Sequence, residues 1–205
     1  MRNIICAIKH SVHNLIFVLQ RTVLAPFRHV SIQTGSKCHF GERVFFAPYT
    51  RMYNLNNESV VIGDNTSIFS YTKIGMCGGG GGLKIGNNCS IGEHNVFNVF
   101  ADITLGDNVL TADYVNFVTN NHKYLDISKP IMFQGNDIND ISVGSDSWIG
   151  INVTILGGTH LGKHCVVGAN SVIRGVFPDY SVIVGNPGRI IKYYDINKNK
   201  WIQNE

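Results

Sequence analysis

Between Val143 and Ile173 every sixth residue is aliphatic: Val143, Ile149, Ile155, Leu161, Val167 and Ile173. A helix repeats every 3.6 residues and a strand every 2, so neither alone gives this period. Three short strands joined by three tight corners do, with one aliphatic side chain per strand filling a triangular interior. The residues two places earlier are Ile141, Ser147, Val153, Thr159, Cys165 and Ser171, mostly small, as a narrow interior demands. Glycine follows the aliphatic position at Gly144, Gly150, Gly162 and Gly168, where it is expected to permit the corner's backbone angles. The pattern predicts an all-β solenoid whose coils bury one another's faces.

The frame extends upstream in three blocks, Ile62–Ile68–Ile74, Ile85–Ile91–Phe97 and Leu105–Thr111–Phe117. Turn chemistry at 63–65, 86–88 and 106–108 (GDN, GNN, GDN) marks corners. Slips show where loops leave the coil. One contains the five glycines Gly78–Gly82; no Lys-Ser/Thr pair follows, so a bulge between coils is expected rather than a phosphate loop. Another, between Phe117 and Val143, loses the rhythm altogether and is read as an excursion, with His122 near its start. Cys89 and Cys165 fall two before an aliphatic position and read as small core residues. Trp148 precedes the inward Ile149 and should point outward, where a large aromatic needs a groove or interface to cover it.

Residues 4–25 are apolar with helical spacing (Ile5, Ile8, Val12, Leu15, Leu19, Val23), but polar interruptions make a poor membrane span. Pro26 is expected to end the helix. Arg2, Lys9, Arg21 and Arg28 are unopposed by any acid before Glu42, so residues 1–30 form either a cap on the coil or a helix lying on an anionic membrane surface. The domain reading is this helical segment, a coil over 31–193 and a tail over 194–205. The 205 residues carry a net charge of +3 and no basic run, which does not fit a nucleic-acid partner. Five cysteines without a C-x-x-C argue against a disulfide framework or zinc ribbon and for a cytoplasmic setting, which for the membrane-lying helix would be the inner membrane face. His160 and His164 leave the coil at different places, so no metal is expected.

The stretch 141–192, with Trp-Ile-Gly at 148–150 and Gly-Asn-Pro at 185–187, and the His122–Gly135 segment resemble the hexapeptide-repeat acyltransferases. The nearest subgroup is the sugar and polysaccharide O-acetyltransferases related to galactoside and maltose acetyltransferases. The resemblance covers about residues 60–193 and, weakly, 32–60. It implies a left-handed parallel β-helix, a homotrimer, and acetyl-CoA in a groove between subunits. By the same resemblance His122 matches the catalytic base. Trp148, Gly150, Ala169, Arg189 and Lys192 match positions along the cofactor groove, and Arg174 falls at a groove position where the family often has Thr or Lys. Asn95 and Asn98, at the slip before Leu105, are candidates for acceptor contact against the alternative of turn residues. Ile151 departs from a serine of the galactoside enzymes, and Gly188 from the Ala or Cys usual after the proline.

The chemistry fits these residue types. Acetyl transfer to a hydroxyl needs a base, stabilisation of the oxyanion and a held cofactor. A neutral histidine suits the first, and arginine and lysine suit the phosphates of CoA. The expected function is O-acetylation of a sugar hydroxyl in surface polysaccharide synthesis. N-acetylation of an amino sugar and a non-catalytic scaffold are the alternatives.

Overall fold

The computed structural model describes residues 30–33, 36–54 and 57–204. The expected N-terminal helix, with Cys6, lies outside them. Within them the chain is an all-β, left-handed parallel β-helix of about six coils. The only helix among the described residues is a 3-10 turn, Ile131–Phe133.

Each coil has three faces. Face I carries Cys38–Phe40, Val60–Ile62, Leu83–Ile85, Ile103–Leu105 and Ile141–Val143. Face II carries Phe45–Phe46, Ser67–Ile68, Ser90–Ile91, Leu110–Thr111, Trp148–Ile149, Val166–Val167 and Ser181–Gly185. Face III carries Arg51–Tyr53, Lys73–Met76, Val96–Val99 and Asn116–Val118. Strands Thr154–Leu161 and Val172–Phe177 each turn the III–I edge, closing one coil and opening the next.

Parallel registers align the hexad frame into three columns. On face I, Phe40, Ile62, Ile85, Leu105, Val143, Leu161 and Phe177 stand in line. Face II aligns Phe46, Ile68, Ile91, Thr111, Ile149, Val167 and Ile183. On face III the column is Met52, Ile74, Phe97, Phe117, Ile155 and Ile173, with Phe97 and Phe117 stacked at 4.5 Å. Apart from the flanking Phe40 and Phe46, every member is buried. The residues two places earlier form a second buried set, including Thr66, Thr72, Cys89, Ser147, Cys165 and Ser171. Thr66 and Thr72 donate to the carbonyls of Gly86 and Gly92 on the next coil, which satisfies their hydroxyls inside the core.

The corner glycines are explained differently from the sequence expectation. None of Gly144, Gly150, Gly162 and Gly168 has a positive φ. A Cβ at Gly144 would stand 2.5 Å from the Gly162 carbonyl carbon, and one at Gly150 2.8 Å from the Ala169 nitrogen. These glycines are required by the close approach of successive coils. The left-handed backbone lies two residues further on. It is taken at the I–II edge by Arg43, Asn65, Asn88, Asn108, Asp146, His164 and Tyr180. At the II–III edge Tyr49, Tyr71, His94, Tyr114, Asn152 and Asn170 adopt it. Asn and Asp tolerate this region because a short polar side chain can bond locally. Here the side chains also bond between coils: Asn88 donates to Asn108, and Asn108 to Asp146 at 2.8 Å. At the other edge Tyr49, Tyr71, His94 and Tyr114 stack face to face at 4.7–4.8 Å.

The III–I edge carries no such ladder, and the loops leave there. The five-glycine segment crosses from coil 2 to coil 3. Residues 119–140 leave between coils 4 and 5 as the expected excursion, whose stem pairs Asn120–His122 antiparallel with Asn136–Ile138. At the C-terminus Gly188–Asp195 turns back antiparallel on Ser181–Gly185 and pairs with Lys200–Gln203.

Candidate functional site

His122 ends the first stem strand of the excursion, opposite Asn136, and is exposed. The root of the stem is fixed to the coil at Thr119. Thr119 is buried, and its hydroxyl donates to the Asn98 carbonyl at 2.8 Å and accepts from the Phe100 amide at 2.8 Å. The Asn139 amide donates to the Thr119 carbonyl, closing the loop. Gln134 braces the interior by donating to the carbonyls of Asp126 and Lys129 and accepting the Asp126 amide. The excursion is a braced arm, and much of its surface is apolar: Leu125 is 85% exposed, and Ile127, Met132 and Phe133 are exposed as well.

Arg174 lies near the same edge. Its Nε comes within 3.7 Å of where a Cβ would stand at Gly158, and the Gly158 amide donates to the Asp140 carbonyl at the excursion's exit. Arg174 and Arg189 line one open pocket at the C-terminal end of the stack, together with Phe177, Ile190 and Asn204. Two guanidinium groups in one pocket suit a phosphate group.

Trp148 projects from face II, 51% exposed, between Leu110 and Val166 of the adjoining coils. Its outward column continues through Val182 to Lys192. Gly150 and Ala169 meet at the II–III corner, where the glycine lets the next coil's backbone come close. Trp148, Gly150, Ala169 and Lys192 therefore share face II and its border, apart from the pocket of Arg174 and Arg189. The III–I edge is the one vertex of the triangle that face II does not touch. Within one chain the excursion root and Trp148 are consequently on opposite sides of the coil.

The two asparagines part company. Asn95 is fully buried; its Nδ2 donates to Thr111 Oγ1 and its Oδ1 accepts the Val115 amide, both at 2.6 Å. Both ends of its side-chain amide are bonded inside the core, as for a corner residue. The hexad frame already carried that signal, because Asn95 stands two before the inward Phe97. Asn98 is half-buried on the outer side of face III, beside the excursion root.

Other polar groups near this edge lie outside the residues predicted for the site. His160 Nδ1 lies 2.9 Å from Ser142 Oγ, and its Nε2 is 4.0 Å from Asp140. Such cross-strand pairing is visible only once the coils are in register. Glu58, with a single solvent-shielded carboxylate near the glycine loop, is another. No group of three potential metal ligands converges among the described residues.

Comparison with known proteins bears on this arrangement. Residues 140–175 match the family described as bacterial transferase hexapeptide (six repeats). A probable acetyltransferase of Mycobacterium tuberculosis is 38% identical over 133 residues, 65% of this chain but 42% of that relative's length. A putative lipopolysaccharide biosynthesis O-acetyl transferase of Escherichia coli is 30% identical over 156 residues, 73% of this chain and 79% of the relative. A hexapeptide-repeat acetyltransferase of Vibrio cholerae, solved in complex with acetyl coenzyme A, superposes with a TM-score of 0.52 at 25% identity, covering 77% of this chain and 71% of that one.

Proposed function

We propose, since this chain belongs to the bacterial hexapeptide-repeat transferases, that it transfers an acetyl group from acetyl-CoA to a hydroxyl of a sugar destined for a surface polysaccharide. One observation carries this reading: the coil releases its chain at a single edge, and there it mounts an exposed histidine on a braced arm. His122 takes the proton from the attacking hydroxyl as oxygen adds to the thioester carbonyl. The tetrahedral intermediate collapses with loss of the CoA thiolate, and the proton passes from His122 to the departing sulfur. Arg174 and Arg189 hold phosphate oxygens of CoA in their shared pocket. Trp148, Gly150 and Ala169 flank the pantetheine arm, and Lys192 adds a cation along the same face. Asn98, next to the excursion root, contacts the acceptor.

The placement of these groups on opposite sides of the coil supports a composite site. The arm of one copy reaches the face II border of the next, and three copies close a ring. Covering the apolar surface of the arm and the exposed Trp148 contributes the burial that holds the ring together. A thiol-release assay with acetyl-CoA against nucleotide sugars and oligosaccharides tests the reading. Acceptor-dependent CoA release is expected; no release with any sugar, from protein shown to bind acetyl-CoA, overturns it.

A further inference from the structure

Next to the excursion on the III–I edge, toward the N-terminus, lies a cavity of about 590 Å³. Its lining includes Lys37, Glu58, Gly78, Gly80, Gly82, Lys84, Asp102 and Thr104. The glycines explain its shape. A Cβ on Gly79 or Gly81 would collide with the backbone of Phe100 or Ala101, so these two lie flat on the next coil. The alternate glycines, Gly78, Gly80 and Gly82, turn to the cavity, and at Gly80 an added Cβ would meet open space. Side chains at these positions would close the cavity.

The floor holds a carboxylate that the fold does not fully use. Glu58 is 8% exposed. Its Oε1 accepts the Gly78 amide at 2.9 Å, and its main chain is clamped by Asn54 through both the amide and the carbonyl. Its Oε2 has no hydrogen-bond partner among the described residues. A shielded carboxylate oxygen without a donor is costly, and a native fold rarely keeps one without use. At the rim stand the exposed Lys37 and Lys84, neither with an ion-pair partner among the described residues. Asp102 accepts the Gly82 amide at 2.7 Å through Oδ1, which leaves its exposed carboxylate a second oxygen.

We infer that this cavity is a binding site for an acidic sugar. A sugar hydroxyl donates to Glu58 Oε2, a second donates to Asp102, and the acidic substituent, carboxylate or phosphate, sits between Lys37 and Lys84. The polar lining fits hydroxyls better than it fits an apolar ligand. The site deepens the reading above, on which its role rests: it lies along the edge that carries His122, separated by the coil linker 100–102, and holds the acceptor by its acidic residue. The Asp102 carbonyl accepts the Ile141 amide, so the cavity wall is tied to the strand that follows the excursion.

Binding is measured by isothermal titration calorimetry with acetyl-CoA absent, using glucuronate, glucose 1-phosphate and glucose on the full-length protein. At least one acidic sugar is expected to bind at least tenfold more tightly than glucose, and the pair of acids tells carboxylate from phosphate. Lys37→Gln with Lys84→Gln should weaken that binding roughly 10- to 100-fold, as the loss of charge-assisted bonds implies. Glu58→Gln keeps an acceptor for Gly78 and should weaken all three sugars. Thermal melts certify that each variant is folded. Equal binding of glucose and both acids, no binding of either acid, or wild-type affinity in the lysine double variant overturns the site. Because CoA takes no part, that outcome is separate from a failure of acetyl transfer, which the thiol-release assay reads.

Discussion

A histidine that acts only as a base leaves a particular trace when removed. His122→Ala should lower turnover about 10²- to 10⁴-fold while acetyl-CoA binding, followed by calorimetry, is retained. Near wild-type turnover would dismiss the assignment. Asn95 predicts the opposite division. Its removal strands the Val115 amide and the Thr111 hydroxyl in the core, so Asn95→Ala should cost about 2 kcal/mol in denaturant melts and leave the acceptor KM of the folded fraction unchanged. Buried thiols respond to pH. Burial pushes Cys89 and Cys165 above the ordinary thiol value. Their protonated forms are favoured in the fold, so the stability they contribute is complete below about pH 8.5 and is lost as pH rises through their higher folded values. Melting temperature should therefore fall above pH 9, and less steeply in a Cys89→Ala, Cys165→Ala variant. At this scale the sequence was legible where the hexad frame was followed to the letter. Both cysteines lie inside as the count of six requires, and the same count places Asn95 in the core, which the family resemblance alone does not indicate.

Strands of two or three residues would not persist singly; here they are held by stacking, and corners set the stacking distance. Gly144→Ala places a Cβ against the Gly162 carbonyl and should destabilise by about 3 kcal/mol. Asn152→Gly should stay within about 1 kcal/mol of wild type, because the exposed side-chain hydrogen bond it donates to Asn170 is lost but offset by easier access to positive φ. Comparable losses from both substitutions in urea melts would refute this division of labour between corner positions. The coil, its columns and the excursion were readable because one side chain in six must fill a triangular core. The reason for the corner glycines was not readable, since φ and coil-to-coil distance select the same residue. Nor was the antiparallel return of Gly188–Asp195, whose strand alternation follows no hexad. The pairing of Arg174 with Arg189 depends on that return, and spacing alone could not separate them from Lys192.

For the whole molecule, the opposition of the excursion root and face II predicts a closed trimer. Light scattering should give three copies, and Leu125→Glu with Ile127→Glu should dissociate them with loss of activity; a fully active monomer would exclude the composite site. Among the described residues no helix is long and apolar enough to cross a membrane. Residues 1–30, with four basic side chains worth about 1 kcal/mol each near an anionic surface, should bind anionic vesicles in a salt-sensitive way. Co-sedimentation of the full protein and of a variant lacking those residues checks this. Absence of binding by the full protein at low salt would leave the capping role, and the shortened protein should then aggregate. A last consequence follows from the unladdered III–I edge. Insertions at the other two edges would interrupt runs of bonded or stacked side chains and shift every coil beyond them. At the third edge, by contrast, the chain can gain or lose residues in any number and re-enter in phase, as the loops of 77–82, 100–102 and 119–140 already do at three different lengths. New specificity can be grafted onto this scaffold one loop at a time, with the hydrophobic interior left unaware of the exchange.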